Sequence, residues 1–276
     1  MFSEVGSPSV WMLGARSTLA EHMARRWTLA GRPFHAAVRP ELDLADPSRL
    51  DSLAIPADVT HAVCFAGLTS LAACRADPEL ADACNHRGPA RLARRLADRG
   101  IPLVFLSTNL VFDGARAAME PAAPPAPHTV YGRSKADGEA SVRVAGGRVV
   151  RLTKVWEPGL PRLVDWADSL RAGRPVEAFD DLRVAPVTAD DAVDSIEAAL
   201  GDPAGSIRHR SGAADVSWYG IALRIAERLG VSRHLVHRTS AAEAGIPPAE
   251  RPTHTTLADP AARPLDRVLD EIFPPP

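Results

Sequence analysis

The feature that most constrains the fold is an alternation, over the first half of the chain, of short apolar runs with longer amphipathic segments. The apolar runs have the length of strands buried on both faces, and the segments between them have the length and periodicity of helices. This order predicts a parallel sheet covered by helices on both sides. We expect strands at 10–13, 34–38, within 57–65, at 103–106 and at 149–153, with helices at 18–30, at 79–99 and from Tyr131 onward.

The regularity loosens beyond about residue 155. Helices are predicted at 161–172, 190–200, 218–230 and 264–272, joined by turns that contain proline and glycine. The sequence therefore predicts a doubly wound α/β domain of the Rossmann type over residues 1–155. A smaller, less regular and mainly substrate-binding domain is predicted over 156–276, with a segment of about 185–205 returning to the first domain.

Composition excludes several classes of protein. The 276 residues carry 32 Lys plus Arg against 34 Asp plus Glu, a balance that gives no reason to expect binding to nucleic acid or to an anionic membrane. The chain has no uninterrupted apolar stretch of about 18 residues and no recognisable secretion signal. Cys64, Cys74 and Cys84 lie ten residues apart, which is neither a metal-binding nor a disulfide pattern. We expect reduced thiols, no bound metal and a soluble cytoplasmic protein.

The turn after the first predicted strand, GARSTLA at 14–20, has the position of a dinucleotide-binding loop. Such loops carry small residues so that backbone amides at a helix N-terminus can approach the pyrophosphate. The three fingerprint positions hold Gly14, Ser17 and Ala20. Ser17 replaces the central glycine, and its side chain either adds a hydrogen bond to phosphate or hinders the approach of the backbone. Taken alone, the loop is also explained by an ordinary strand-to-helix turn.

Two arginines lie where the adenosine ribose of a bound dinucleotide would be. Arg16 is inside the loop, and Arg39 directly follows the second predicted strand. A cation at this place suits the 2'-phosphate of NADP, whereas an acidic residue suits the free hydroxyl of NAD. NADP is therefore favoured over NAD as the cofactor. Two solvated surface arginines remain the alternative, because arginine is abundant in this chain.

The motif YGRSK at 131–135, followed by Glu139, has the strongest chemical signature. Tyr131 and Lys135, four residues apart, share one face of a helix, so the ammonium can lie near the phenol and lower its pKa toward the range useful to a general acid. Thr108 lies at the end of a predicted strand, where its hydroxyl could bind a carbonyl that accepts hydride. YxxxK occurs by chance on surface helices, but its position after the fourth apolar run predicts an active site.

These motifs resemble the short-chain dehydrogenase/reductase superfamily in its extended form and, more narrowly, the dTDP-4-dehydrorhamnose reductase family. The resemblance rests on six blocks in order: LDLADP (42–47), AGLTSLAACRADPELADACN (66–85), LSTNLVFDG (106–114), VYGRSKADGE (130–139), SWY (217–219) and RPTHTTL (251–257). The chain departs from the family at Ser17, at Ala72 and Ala73 where an Asp-Lys pair is usual, and at Asn109 in place of aspartate. The segment 156–174 is also shorter than the family's substrate loop.

The resemblance implies roles for three residues. Thr108 would orient the substrate ketone, Tyr131 would donate a proton to its oxygen, and Lys135 would bind the nicotinamide ribose and tune Tyr131. From the loop and the resemblance together, the predicted cofactor contacts are Gly14, Arg16, Ser17, Thr18, Leu19, Arg39, Asp43, Leu44, Ala66, Gly67, Thr69, Ser107, Tyr131 and Lys135. The predicted contacts to a nucleotide sugar are Val111, Trp156 and Arg251, each equally explained as a packing residue.

Three functional hypotheses follow. The leading one is an NADPH-dependent reductase of a nucleotide-linked 4-keto-6-deoxy sugar or a related ketone. The second is a catalytically silent NADP-binding regulatory subunit of the same fold, and the third is an epimerase or dehydratase that uses nicotinamide. The intact Thr108, Tyr131 and Lys135 favour chemistry over a silent subunit. The helix at 79–99 could pair two subunits in a homodimer, although its apolar stripe is explained equally well by the sheet that it covers.

Overall fold

A computed structural model describes residues 9–273, which divide into two compact units. The first contains the described residues up to 111 together with 129–151 and 192–208, and the second contains 112–128, 152–191 and the described residues from 209 onward. The segment that returns to the first unit thus runs from 192 to 208. Residues 112–128 were expected in the first unit but belong to the second, because the Gly114 carbonyl accepts from the His254 amide (3.0 Å) and Met119 bridges to Leu257.

Strands and helices are numbered separately along the chain. The strands are β1 (Val10–Leu13), β2 (Phe34–Ala37), β3 (His61–Cys64), β4 (Leu103–Thr108), β5 (Arg148–Leu152), β6 (Lys154–Trp156), β7 (Val176–Phe179), β8 (Arg183–Val184), β9 (Pro186–Thr188), β10 (Ile207–Arg210), β11 (Val216–Ser217) and β12 (Val236–Thr239). The helices are α1 (Thr18–Leu29), α2 (Pro47–Ser52), α3 (Leu71–Ala76), α4 (Pro78–Asp82), α5 (Gly88–Ala97), α6 (Val130–Val144), α7 (Pro161–Arg171), α8 (Ala189–Leu200), α9 (Trp218–Arg228) and α10 (Leu265–Ile272).

The predicted doubly wound α/β fold is confirmed, and five predicted strands correspond to β1 to β5. The helix expected at 79–99 is instead three consecutive pieces: α4, a π-helical turn at Ala83–Arg87 and α5. The sixth strand of the main sheet, β10, was not expected. Its sequence IRHR is polar, so it lacks the apolar run on which the strand prediction depended.

The order of strands in the main sheet locates a ligand crevice. The order is β2-β1-β3-β4-β5-β10, and β1 pairs in parallel with both β2 and β3. The chain winds in opposite directions from the boundary between β1 and β3, and in such sheets ligands bind outside the carboxyl ends of the strands at this point. Gly14 directly follows β1 at this point. Ala66 lies two residues after the end of β3, and its amide donates to the Leu13 carbonyl (3.1 Å).

Each unit has its own apolar core. In the first unit, Trp11 and Phe105 from the sheet pack with Leu92 and Leu96 of α5. The second unit contains three two-stranded sheets, formed by β11 with β8, β12 with β7, and β6 with β9, around a core rich in tryptophan. Among residues 9–273, no helix is both long and apolar enough to cross a membrane.

Candidate active site

Thr108 and Tyr131 meet where β4 ends and α6 begins. The Thr129 hydroxyl caps α6 by accepting from the Gly132 amide (2.9 Å), and this bond fixes the turn that carries Tyr131. The Thr108 hydroxyl lies near the Tyr131 phenol and lowers its pKa. Thr108 is itself held by the Leu110 amide, which donates to its Oγ1 (3.2 Å). A hydroxyl and a phenol therefore lie side by side at the crevice edge of the sheet.

Lys135 completes this arrangement from the next turn of α6. It is buried, and its ammonium lies 4.2 Å from the centroid of the Phe105 ring. At four residues from Tyr131, it shares one face of the helix with the phenol. The structure therefore brings together all three predicted catalytic residues within the first unit.

Burial sets the charge states of the two titratable members. It raises the pKa of Tyr131 to about 12, with Cys74 adding to the rise and the Thr108 hydrogen bond opposing it. Burial also lowers the pKa of Lys135 to about 8. The expectation that Lys135 depresses the Tyr131 pKa is wrong for this structure, because removing the phenolate from water dominates and raises that pKa. At neutral pH, Tyr131 keeps its proton and Lys135 keeps its charge.

Asn85 is a site residue to which the sequence analysis gave no role. It is wholly buried on the π-helical turn. Its Oδ1 accepts from the Leu68 amide (2.9 Å), and its Nδ2 donates to the Leu68 carbonyl (2.9 Å) and to Ser134 Oγ (3.1 Å). The side chain thus ties the loop after β3 to α6. A buried asparagine has no sequence pattern of its own, and the π-helical turn that carries it was predicted as part of an unbroken helix, so no sequence signal marked this residue.

The backbone of the π-helical turn also touches α6 directly. A Cβ atom on Gly138 would meet the Asn85 carbonyl oxygen and would lie 3.0 Å from the Phe105 ring. Any side chain at this position would push the two segments apart. Gly138 therefore permits contact between the two main chains one turn beyond Lys135.

The loop after β1 has the geometry of a dinucleotide turn. Gly14 has a positive φ of 88°, and a Cβ there would lie 2.6 Å from the Ala66 nitrogen, so glycine is required. Ser17 is the N-cap of α1, with its hydroxyl accepting from the Ala20 amide (3.2 Å). The serine therefore satisfies a helix amide itself, an outcome that neither reading of the sequence anticipated.

Beyond that cap, α1 presents donors to the crevice edge. The amides of Thr18 and Leu19 have no hydrogen-bond acceptor among residues 9–273. Free amides at the N-terminus of a helix favour an anion, and Arg16 beside them is exposed. These donors suit a phosphate group.

The residues predicted to contact the adenosine of a bound dinucleotide are less accessible than the sequence suggested. Arg39 is exposed and lies 3.9 Å from the Asp43 carboxylate, which also accepts from the Ala45 amide (3.0 Å). Leu44 is a buried core residue, so its side chain has no surface for a cofactor. Arg39 is thus the cation available at this place.

The segment after β3 and the end of β4 supply the remaining predicted cofactor positions. Gly67 and Thr69 are exposed, whereas Ala66 is partly buried against Gly14. The Ser107 hydroxyl is buried and has no hydrogen-bond partner in the part of the chain that the structure describes. An orphaned buried hydroxyl is costly unless a ligand group satisfies it. Ser107 therefore fits a site that is completed by a bound polar molecule.

Comparison with known proteins agrees with this geometry. The sequence model of the family described as RmlD substrate binding domain matches residues 9–266. A dTDP-4-dehydrorhamnose reductase of Mycobacterium tuberculosis is 30% identical over 257 residues, which cover 89% of this chain and 83% of that protein. The chain belongs to the dTDP-4-dehydrorhamnose reductase family. The resemblance inferred from the sequence is thereby confirmed.

Two further members of the dTDP-4-dehydrorhamnose reductase family illustrate the similarity. The reductase of Sinorhizobium fredii is 32% identical over 245 residues, covering 79% of this chain and 78% of that protein. The crystal structure of the dTDP-4-dehydrorhamnose reductase from Bacillus anthracis in complex with NADP has a TM-score of 0.84 at 20% identity. It covers 98% of this chain and 99% of that one, and so it shows the same fold.

The three predicted sugar contacts lie at places that do not expose them. Within this dTDP-4-dehydrorhamnose reductase family member, Val111 and Trp156 are wholly buried, and the Trp156 ring packs 5.7 Å from Trp218. Arg251 donates to the Ile246 carbonyl (2.9 Å) and lies 3.4 Å from an Asp181 oxygen. In the structure, Val111 and Trp156 pack in the protein interior, and the Arg251 side chain is engaged by Ile246 and Asp181.

One polar cluster has the composition of a metal site. Ligand atoms of Asp82, His86 and Asp137 lie within 4.8 Å of one another. His86 Nδ1 is 2.8 Å from the Asp82 carboxylate, and its Nε2 is 3.1 Å from Ser141 Oγ. Asp82 also pairs with Arg87 at 3.1 Å. These contacts satisfy Asp82 and His86 without an ion, and we assign no metal to the cluster.

Proposed function

We propose that the protein is an NADPH-dependent reductase of the C4 ketone of a nucleotide-linked 4-keto-6-deoxy sugar or a related ketone, with Tyr131 as the proton donor. The observation that carries the proposal is the placing of Thr108, Tyr131 and Lys135 together at the crevice end of the sheet. Membership of a family whose named relatives are reductases of dTDP-linked keto sugars supports the same chemistry.

The residues around the crevice fit a dinucleotide. The Thr18 and Leu19 amides would bind its pyrophosphate, and the cations of Arg16 and Arg39 suit the 2'-phosphate that distinguishes NADP. The unpartnered Ser107 hydroxyl would gain a partner. The NADP complex of the Bacillus anthracis relative supports this choice of cofactor.

The cofactor and the chain would supply different parts of the reaction. Bound NADPH would supply the hydride that adds to the ketone carbon. Thr108 would orient the ketone oxygen, and Tyr131 would transfer its phenolic proton to that oxygen as negative charge develops. The Lys135 ammonium would stabilise the phenolate left behind, which then takes a proton from solvent. A ketone, a hydride and a proton thus give an alcohol.

Replacing Tyr131 with phenylalanine tests the proposal. Because only the hydroxyl is lost, turnover of a dTDP-4-keto-6-deoxy sugar should fall by about 100-fold or more while NADPH affinity stays nearly unchanged. The chain has only one other tyrosine, Tyr219, which makes Tyr219→Phe a matched control with expected wild-type turnover. NADPH binding is followed by its fluorescence and turnover by its absorbance.

Three results would contradict the proposal. Absence of NADPH binding to the wild-type protein removes the cofactor from it. Full turnover in Tyr131→Phe removes the tyrosine from the proton transfer. NADPH binding without turnover of any 4-keto sugar would instead favour a silent subunit over a reductase.

A further inference from the structure

A buried ion pair joins β5 to α6, the helix that carries Tyr131 and Lys135, and the reaction described above does not use this pair. Glu139 of α6 and Arg151 of β5 have side chains only 3% and 1% exposed. Arg151 Nε donates to both carboxylate oxygens (2.9 and 3.1 Å), and its Nη2 donates to Oε2 (2.6 Å). Desolvating two charges costs about as much as their attraction returns, so stability alone is a weak reason for such a pair.

The pair lies next to Lys135 in a regular series. Tyr131, Lys135 and Glu139 are spaced four residues apart, so the three side chains follow one another on one face of α6. The Glu139 carboxylate favours the charged form of Lys135 and raises its pKa against the effect of burial. Arg151 holds that carboxylate through the three hydrogen bonds described above.

Among residues 9–273, the other groups found to face Lys135 carry no charge at neutral pH. They are the thiols of Cys64 on β3 and Cys74 on α3, and the Phe105 ring on β4. Burial raises the pKa of both thiols, that of Cys64 to about 11, so both stay protonated. Glu139 is therefore the carboxylate that balances the buried ammonium.

We propose that Glu139 and Arg151 are positioning residues for the catalytic lysine: Glu139 keeps the Lys135 ammonium charged beside Tyr131, and Arg151 holds the Glu139 carboxylate in place through their hydrogen bonds. Their consequence for catalysis rests on the proposed reductase function. Their effect on the charge of Lys135 does not, and it can be measured without cofactor or substrate.

The composition of the chain makes that measurement direct. Lys135 and Lys154 are the only lysines in the sequence. Protein labelled with 13C at lysine Cε should give two resonances, which the variant Lys154→Arg assigns. Titrating the Lys135 resonance with pH reports its protonation, and we expect the wild-type midpoint near 8.

Removing the carboxylate charge should move this midpoint downward. In Glu139→Gln, the Lys135 midpoint should fall by about 0.5 to 1 pH unit, because an opposing charge close by is lost. Glu139→Gln removes the carboxylate that faces a buried arginine and can fail to fold. The double variant Glu139→Gln with Arg151→Met removes both charges at similar volume, and it should show the same fall.

A variant that keeps the charges separates this role from packing. Glu139→Asp disturbs the geometry of the pair but retains both charges and adds no lysine, so the Lys135 midpoint should stay within about 0.3 pH unit of the wild type. An unchanged midpoint in the double variant would overturn the proposal. So would a fall in Glu139→Asp as large as that in the double variant.

The pH dependence of NADPH binding connects the pair to the site. In the double variant, the alkaline limit of binding should move down with the Lys135 midpoint. A limit that stays at the wild-type pH although the midpoint has fallen would overturn the role of the pair in the site. If wild-type protein binds no NADPH at any pH, the reductase proposal fails, while a shifted midpoint still supports the control of Lys135 by Glu139.

Discussion

Ser17 provides the most discriminating prediction, because its structural role differs from both roles that the loop sequence suggests. Its backbone is extended (φ −74°, ψ 145°), and its hydroxyl accepts from the Ala20 amide at 3.2 Å. Replacing an N-cap serine with alanine leaves that amide without a partner, which costs about 1 kcal/mol. For a protein of this size, Ser17→Ala should lower the Tm by roughly 2 to 4 °C.

The same geometry predicts little effect on the cofactor. The serine hydroxyl is already engaged by Ala20, whereas the amides of Thr18 and Leu19 remain available to phosphate. The NADPH Kd of Ser17→Ala should therefore stay within about threefold of the wild type, or about 0.6 kcal/mol. Ser17→Gly should cost only a few tenths of a kcal/mol, because glycine is an acceptable N-cap residue.

The assay pairs thermal unfolding with fluorescence titration of NADPH. Ser217→Ala is the matched control, since Ser217 caps α9 in the second unit by accepting from the Gly220 amide at 3.1 Å. It should lose similar stability and leave NADPH binding unchanged. The reasoning is refuted if Ser17→Ala weakens NADPH binding tenfold without lowering the Tm. A tenfold gain in affinity for Ser17→Gly would likewise show that the serine Cβ obstructs the phosphate.

Three further predictions concern other parts of the chain. Gly138→Ala should destabilise the protein by about 1 to 3 kcal/mol in urea unfolding, since it forces two main chains apart, whereas Gly201→Ala, with its nearest neighbouring atom at 3.8 Å, should be tolerated. Lys135 has a pKa of about 8 when folded and near 10.4 when unfolded, so the unfolded chain binds more protons between these values and stability rises with pH. Lys135→Met should therefore have a higher free energy of unfolding than the wild type, and this difference should be largest below pH 8 and shrink toward pH 10. A difference that does not depend on pH would contradict this. Arg251→Ala should speed amide hydrogen exchange in residues 240–250 about fivefold, because the bonds that hold this segment are lost; unchanged exchange would show that other contacts hold it.

Much of the first unit could be predicted because its strands are apolar runs between amphipathic helices. The polar strand β10 could not, since its residues resemble a loop, and neither could the short strands of the second unit, which pair only through distant segments. Residues 112–128 were misplaced because neighbours in sequence were taken as neighbours in space. Their partners lie more than 130 residues later in the chain.

The candidate site shows the same division. Tyr131 and Lys135 could be placed on one face from their spacing, because helix periodicity determines which side chains share a face, and Thr108 could be placed from its position at a strand end. The buried state of Trp156 depends on packing that no local pattern encodes. Arg151 did leave a signal, since a charged residue in the apolar run VVRLT has to find an opposite charge when buried. The motif residue Glu139 was available as that partner.

The direct approach of α6 to the π-helical turn at Gly138 affects how the enzyme could change. A helix that packs on side chains shifts when those side chains are substituted, and the catalytic residues on the helix shift with it. At Gly138, α6 instead packs against the main-chain carbonyl oxygen of Asn85, and a main-chain carbonyl is present whichever side chain occupies that position. Core side chains elsewhere can therefore vary while Tyr131 and Lys135 keep their position and orientation. Attempts to redesign the enzyme for new ketones should leave the contact at Gly138 intact.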